Sequence, residues 1–143
     1  HADYALERFK RRFGPMIADP QHTTLYEGWQ EGGYGGGSTN HAWSGGMLTD
    51  ICEQILGIRP TAPGWKEVMI HPAVSPITEA AITIPTVAGP LSYGFKDDGS
   101  VYRATVTIPK GMTVHIAPPD GYTPTAHTRA TLRSGTYKLE FTR

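Results

Sequence analysis

One carboxylate and one imidazole stand out by position. Glu27 lies between Tyr26 and Trp29 in the run TTLYEGW, and His41 follows the polar residues Ser38, Thr39 and Asn40. Between them, five of the six residues from Gly32 to Gly37 are glycine, interrupted only by Tyr34. Glycine admits positive φ and close backbone approach, so this loop is either a surface connection or a wall against which a ligand lies flat. A carboxylate partly buried beside aromatic rings can be tuned for acid or base work. An imidazole can donate to a hydroxyl group or hold a carboxylate in place. Trp29, Tyr34 and Trp43 offer flat apolar faces of the kind that stack on a pyranose ring. Acid–base chemistry on a sugar suits such a place. Each residue also has an ordinary reading: Glu27 as a solvated surface charge, His41 as a cap or core residue, the aromatic rings as core.

Other chemistries find less support. The glycine loop holds no GxxxxGK[ST] pattern and follows no βαβ strand, so a phosphate cradle is weak. His1, His22, His71, His115 and His127 share no metal-ligand spacing, and no Ser, His and Asp set marks a nucleophile; no metal or organic cofactor is implied. A single cysteine, Cys52, excludes an internal disulfide and a multi-cysteine metal site. Within a helical pattern it reads as a small buried hydrophobe. Lys plus Arg and Asp plus Glu each total 13, so the chain has no electrostatic case for nucleic acid or an acidic membrane. No run approaches the roughly 20 apolar residues of a membrane span. The N-terminus lacks the apolar middle of a signal peptide.

The elements that would carry Glu27 and His41 are helical. Leu6, Phe9 and Phe13 fall on one stripe, which predicts a helix over Ala2 to Phe13, stopped by Gly14-Pro15. Lys10, Arg11 and Arg12 load its C-terminal end with the charge the helix dipole favours. The capping residues Ser38, Thr39 and Asn40 predict a second helix from there to Gly57. Its broad apolar face holds Trp43, Met47, Leu48, Ile51, Ile55 and Leu56. Gly57 stands where a left-handed C-terminal cap belongs, with Pro60 and Pro63 beyond it.

After Gly64 the period changes from near 3.6 to 2. Strands are predicted over 65–71, 80–85, 90–96, 101–108, 112–117, 128–132 and 136–142, with turn signals at Asp97-Asp98-Gly99-Ser100, Lys110-Gly111, Asp120-Gly121 and Ser134-Gly135. About seven short antiparallel strands so spaced suggest a β-sandwich or jelly roll. In the strand at 101–108, Tyr102, Ala104, Val106 and Ile108 take the core face. The expected organisation is a helical segment, 1–62, followed by a β-sandwich, 63–143.

The runs TTLYEGW, GSTNHAWSGG and LGIRPTAPGWKEVMIHP, in that order and behind RRFGPMI, resemble the C-terminal part of bacterial α-L-rhamnosidases, glycoside hydrolase family 78. The resemblance implies a mixed α and β chain: the last helices of an (α/α)6 toroid, the six-hairpin glycosidase fold, then a C-terminal antiparallel β-sandwich. It implies inverting hydrolysis by two carboxylic residues, with Glu27 at the general-base position and His41 at the position that contacts bound rhamnose. Trp29, Asn40 and Trp43 match further positions of the two motifs.

The family's general acid lies in an upstream segment that these residues do not contain. The expectation is therefore a C-terminal fragment, inactive alone, whose partners would be the remainder of the toroid and a rhamnose-containing glycan or glycoside. For the parent enzyme a bacterial periplasmic or extracellular setting is expected. Two other readings stay open: a non-catalytic module that binds glycans or braces a neighbouring domain, and a six-hairpin glycosidase acting on another sugar.

Overall fold

The computed structural model describes residues 1–29, 37–126, 128 and 130–143. Tyr34, most of the glycine loop and His127 lie outside them. The chain divides into two compact units, His1–Cys52 and Glu53–Arg143.

In the first unit, helix α1 runs from Ala2 to Ile17 and passes through Pro15, so Gly14-Pro15 does not stop it. Two local features explain the difference. A proline disfavours helical backbone in the residue before it partly through that residue's Cβ, which Gly14 lacks. The missing N–H falls in the last turn, and the extra turn buries Met16 to 2% exposure. Burial outweighs the lost bond. Phe13, Met16 and Tyr26 form the core of this unit, with Phe9, Leu25 and Met47 packed against it.

The second helical stretch is also not as capped. It begins with a 3₁₀ turn, Ala42–Gly45, continues as α2, Gly46–Asp50, and ends in a π turn, Ile51–Ile55. His41, in extended backbone, occupies the cap position and makes no side-chain cap bond. The helical stretch begins beyond the residues expected to cap it, and the Ser38 hydroxyl donates to the Asn40 carbonyl. Ser38 binds through its N–H to Glu27, and Thr39 accepts a bond from Thr24 through its carbonyl. The apolar face is only partly covered: Trp43 and Leu48 are more than half exposed, while Ile55 and Leu56 are buried. Cys52 is half-buried.

The second unit is a β-sandwich-like pair of sheets. One sheet has the order β1-β2-β6-β8 and the other β3-β4-β5-β9-β7. The strands are β1 (Ile58–Pro60), β2 (Glu67–Ile70), β3 (Glu79–Thr86), β4 (Gly89–Asp97), β5 (Val101–Ile108), β6 (Thr113–Ile116), β7 (Thr123–Pro124), β8 (Thr131–Leu132) and β9 (Gly135–Thr142). Each of the seven segments of alternating period contains a strand, with shifted ends, and the one expected over 128–132 is reduced to Thr131–Leu132. β1 and β7 are additions, too short for any period to show. Pairing is antiparallel except between β2 and β6, which run parallel, Val68 opposite Val114 and Ile70 opposite Ile116.

Alternation sets the core as expected. Along β5, Tyr102, Ala104, Val106 and Ile108 are buried, while Arg103, Thr105 and Thr107 are exposed. Val68, Ile70 and Val114 from one sheet and Leu91, Val106 and Phe141 from the other are almost fully buried. Gly57, with φ of 68°, ends the helical stretch in left-handed backbone as its cap role requires. It also has no room for a side chain, since a Cβ there would lie 1.8 Å from the carbonyl oxygen of His71.

Candidate active site

Glu27 and His41 are brought together by a short backbone ladder. His41 N–H donates to the Leu25 carbonyl at 3.0 Å, and Glu27 N–H donates to the Ser38 carbonyl at 2.9 Å. Ser38 N–H returns a bond of 2.9 Å to Oε2 of Glu27. The other carboxylate oxygen, Oε1, stands 4.0 Å from Nε2 of His41, with the two side chains 29% and 35% exposed. The carboxylate is thus half-buried beside an imidazole and still open to a ligand.

Trp43 completes the wall. Its indole N–H donates to the Glu27 carbonyl at 3.2 Å. Its ring lies 4.2 Å from that of His41, tilted by 37°. Ser44 donates to the Tyr26 carbonyl at 2.5 Å, so the 3₁₀ turn grips the segment that carries Glu27 at two successive carbonyls. On the other side Trp29 meets Phe13 of α1 edge-on at 5.3 Å, and the Arg12 guanidinium sits over its indole at 5.6 Å. That cation–aromatic contact fixes a ring that is otherwise half exposed.

These residues border a cleft of about 470 Å³ lined by Phe13, Glu27, Gly28, Trp29, Trp43, Ser44, Gly46, Met47 and Asp50. Its walls are mainly apolar, with a carboxylate at the margin, which is the composition of a small-ligand site. Of the residues singled out in the sequence, Glu27, Trp29 and Trp43 line it. His41 stands behind, in contact with both Glu27 and Trp43, and its Nδ1 is buried with no hydrogen-bond partner among the described residues. Asn40 is exposed and does not line the cleft; its carbonyl accepts from the Ser38 hydroxyl at 3.0 Å. Tyr34 lies outside the described residues.

Asp50, Met47 and Phe13 were not marked as site residues by the sequence. Met47 and Asp50 follow Trp43 at the helical spacings of four and seven, a signal that could have placed them on its side of the helix. The remaining histidines are dispersed. His71 faces Asp120 at 3.6 Å, His115 faces Thr131 at 3.3 Å, and His22 is bonded to Asp19. Among the described residues no three His, Cys, Asp or Glu side chains gather as a metal site, and no helix is long and apolar enough to cross a membrane.

The paired sheets of the second unit define the class: a β-sandwich-like domain of the kind found at the C-terminal end of α-L-rhamnosidases. The solved α-L-rhamnosidase from Dictyoglumus thermophilum matches 92% of this chain with 17% of its own length, at a TM-score of 0.65 and 19% identity. That from Streptomyces avermitilis, solved with L-rhamnose, matches 82% of this chain with 14% of its own, at 0.60 and 25% identity. The Aspergillus terreus enzyme matches at 0.60 and 19% identity over 82% of this chain and 14% of its own.

Residues 57–132 match the model of the bacterial alpha-L-rhamnosidase C-terminal domain, and the chain belongs to that family. An alpha-L-rhamnosidase from Alteromonas sp. (strain LOR) is 31% identical over 116 residues, covering 76% of this chain. The chain spans only 13% of that relative's length.

Proposed function

We propose that this chain is the C-terminal segment of an inverting glycoside hydrolase of the α-L-rhamnosidase type, contributing the general base and part of the sugar site. The observation that carries this reading is the placement of Glu27: half-buried, 4.0 Å from His41, at the margin of a cleft with two tryptophans. In this reading Glu27 takes a proton from the attacking water while Trp29 and Trp43 hold the sugar by its apolar faces. His41, beside the carboxylate, meets a sugar hydroxyl; the reading also assigns sugar contacts to Asn40, which is not among the residues lining the cleft, and to Tyr34. The reaction needs proton transfers and water only.

Inversion also requires a general acid across the scissile bond, about 6.5–9.5 Å from the base, to protonate the leaving oxygen. The reading assigns that acid, and the rest of a helical toroid, to other parts of a longer enzyme acting on a rhamnose-containing glycan or glycoside. Asp50 lies in the same cleft, and a direct assay separates the two cases. The isolated chain is expected to leave an aryl α-L-rhamnoside intact. Turnover well above buffer, abolished by Glu27→Gln, would show that the chain holds both groups and overturn the need for an outside acid.

A further inference from the structure

Asp19 joins His22 and Tyr26 by hydrogen bonds immediately ahead of Glu27. Oδ2 of Asp19 accepts from the Tyr26 hydroxyl and from Nδ1 of His22, the latter at 2.9 Å. An ionised carboxylate only accepts, so the His22 proton sits on Nδ1. Oδ1 accepts from the Gln21 N–H at 2.8 Å. The Tyr26 hydroxyl first, then His22 and the Gln21 N–H, hold the Asp19 carboxyl far below the usual carboxylate range. The His22 ring meets Tyr26 edge-on at 5.8 Å and 90°. Asp19 is itself tied to the end of α1 by its N–H, 3.4 Å from the Met16 carbonyl.

Tyr26 is therefore held from every side. Its ring is 5% exposed in the core with Phe13 and Met16, its hydroxyl ends on Asp19, and its carbonyl takes the Ser44 bond. Glu27 is the next residue. Its own side chain has a single hydrogen bond, to Ser38 N–H, among those described. Where a carboxylate has so little side-chain support, its aim depends on the backbone that bears it. An error of about 1 Å in such a group can cost about a hundredfold in rate.

We infer that Asp19 and His22 are positioning residues for Glu27, acting through Tyr26. The purpose of the brace rests on the reading of Glu27 as a base; the brace itself does not.

The test uses the full 143-residue chain, isotopically labelled for NMR, as wild type, Asp19→Ala, Asp19→Asn and Tyr26→Phe. Two signals report the ladder: exchange of the Glu27 and His41 amide protons, and the ¹³C shift of the Glu27 carboxylate. In Asp19→Ala and Tyr26→Phe the two amides should exchange about tenfold faster or more, the worth of one charge-assisted hydrogen bond, and the carboxylate resonance should move. Asp19→Asn keeps an acceptor for the Tyr26 hydroxyl and should recover most of the loss. The amide of Val106, in the other unit, should not change.

If Asp19→Ala unfolds the first unit, Tyr26→Phe decides, because it keeps the buried ring and removes only the hydroxyl. Unchanged Glu27 and His41 signals in Tyr26→Phe would overturn the inference. No step of this measurement involves turnover, so its failure is separate from a failure of Glu27 as base, which the rhamnoside assay reads.

Discussion

Oε1 of Glu27 stands 4.0 Å from Nε2 of His41, and the bonds that set this distance are backbone bonds on either side, Leu25 to His41 and Glu27 to Ser38. A 4.0 Å contact between two part-exposed side chains could not fix the geometry by itself. The two side chains should therefore separate cleanly in function. Let residues 1–143 replace the matching segment of the Alteromonas enzyme. Glu27→Gln should then lower kcat by about 10²–10⁴-fold, the usual worth of a general base. His41→Ala should raise KM and spare more of kcat. An active chimera indifferent to Glu27→Gln would remove the base from this chain.

The sandwich core contains a hydrogen-bonded pair of phenols, Tyr93 and Tyr102, at 2.7 Å. Burial pushes both above the ordinary tyrosine range, so both remain neutral donors and acceptors. Tyr102→Phe strands the Tyr93 hydroxyl and should cost about 1–3 kcal/mol in denaturant unfolding, whereas the double change to Phe should recover most of it. A double variant as unstable as the sum of its parts would show that the hydroxyls act independently.

Alternation made this second unit readable. Val101 to Ile108 alternates without a break, and its burial follows the sequence residue by residue. β1 and β7 were hidden because two or three residues carry no period. The parallel β2–β6 pair was hidden because a strand's pattern names its face and not its neighbour. In the first unit, Glu27 and His41 were legible as types beside aromatic rings. What brings them together, backbone bonds from Glu27 to Ser38 and from His41 to Leu25, is a tertiary choice that local propensity cannot express. Asp19 and His22 gave no signal, since a turn aspartate and a lone histidine have many ordinary roles.

Acid should loosen one hairpin selectively. In the turn between β4 and β5, Asp98 accepts from the N–H groups of Val101 and Ser100 and from Arg103. The Val101 bond first, then Arg103 and Ser100, hold its pKa down to about 2 from the ordinary 3.8. A depressed carboxylate stabilises the fold above its unfolded pKa and loses that contribution as pH falls through the folded value. The advantage of wild type over Asp98→Asn should be full at pH 5 and fade between about pH 4 and pH 2. Urea titrations at several pH values read this directly, and a pH-independent difference would contradict it.

Gly57 should resist every side chain. Left-handed backbone alone costs an alanine about 1–2 kcal/mol, and here a Cβ would also meet the His71 carbonyl at 1.8 Å. Gly57→Ala should thus lower the melting temperature by more than Gly99→Ala, where φ is also positive but the space is open. Equal losses at the two sites would mean that the chain beside His71 yields easily.

The parallel pairing of β2 with β6 has a bearing on the order of assembly. Strands β3, β4 and β5, which lie between them in sequence, all belong to the opposite sheet and join by adjacent hairpins. Hairpins close early because little chain entropy is spent on short loops, while distant strands wait. The β3–β4–β5 meander should form the folding nucleus, and the sheet holding Ile70 and Ile116 should zip onto it last. Kinetically, Val106→Ala should slow refolding, whereas Val114→Ala should chiefly hasten unfolding. On the ribosome, the core face of the meander would stay incompletely covered until β6 and β8 had emerged.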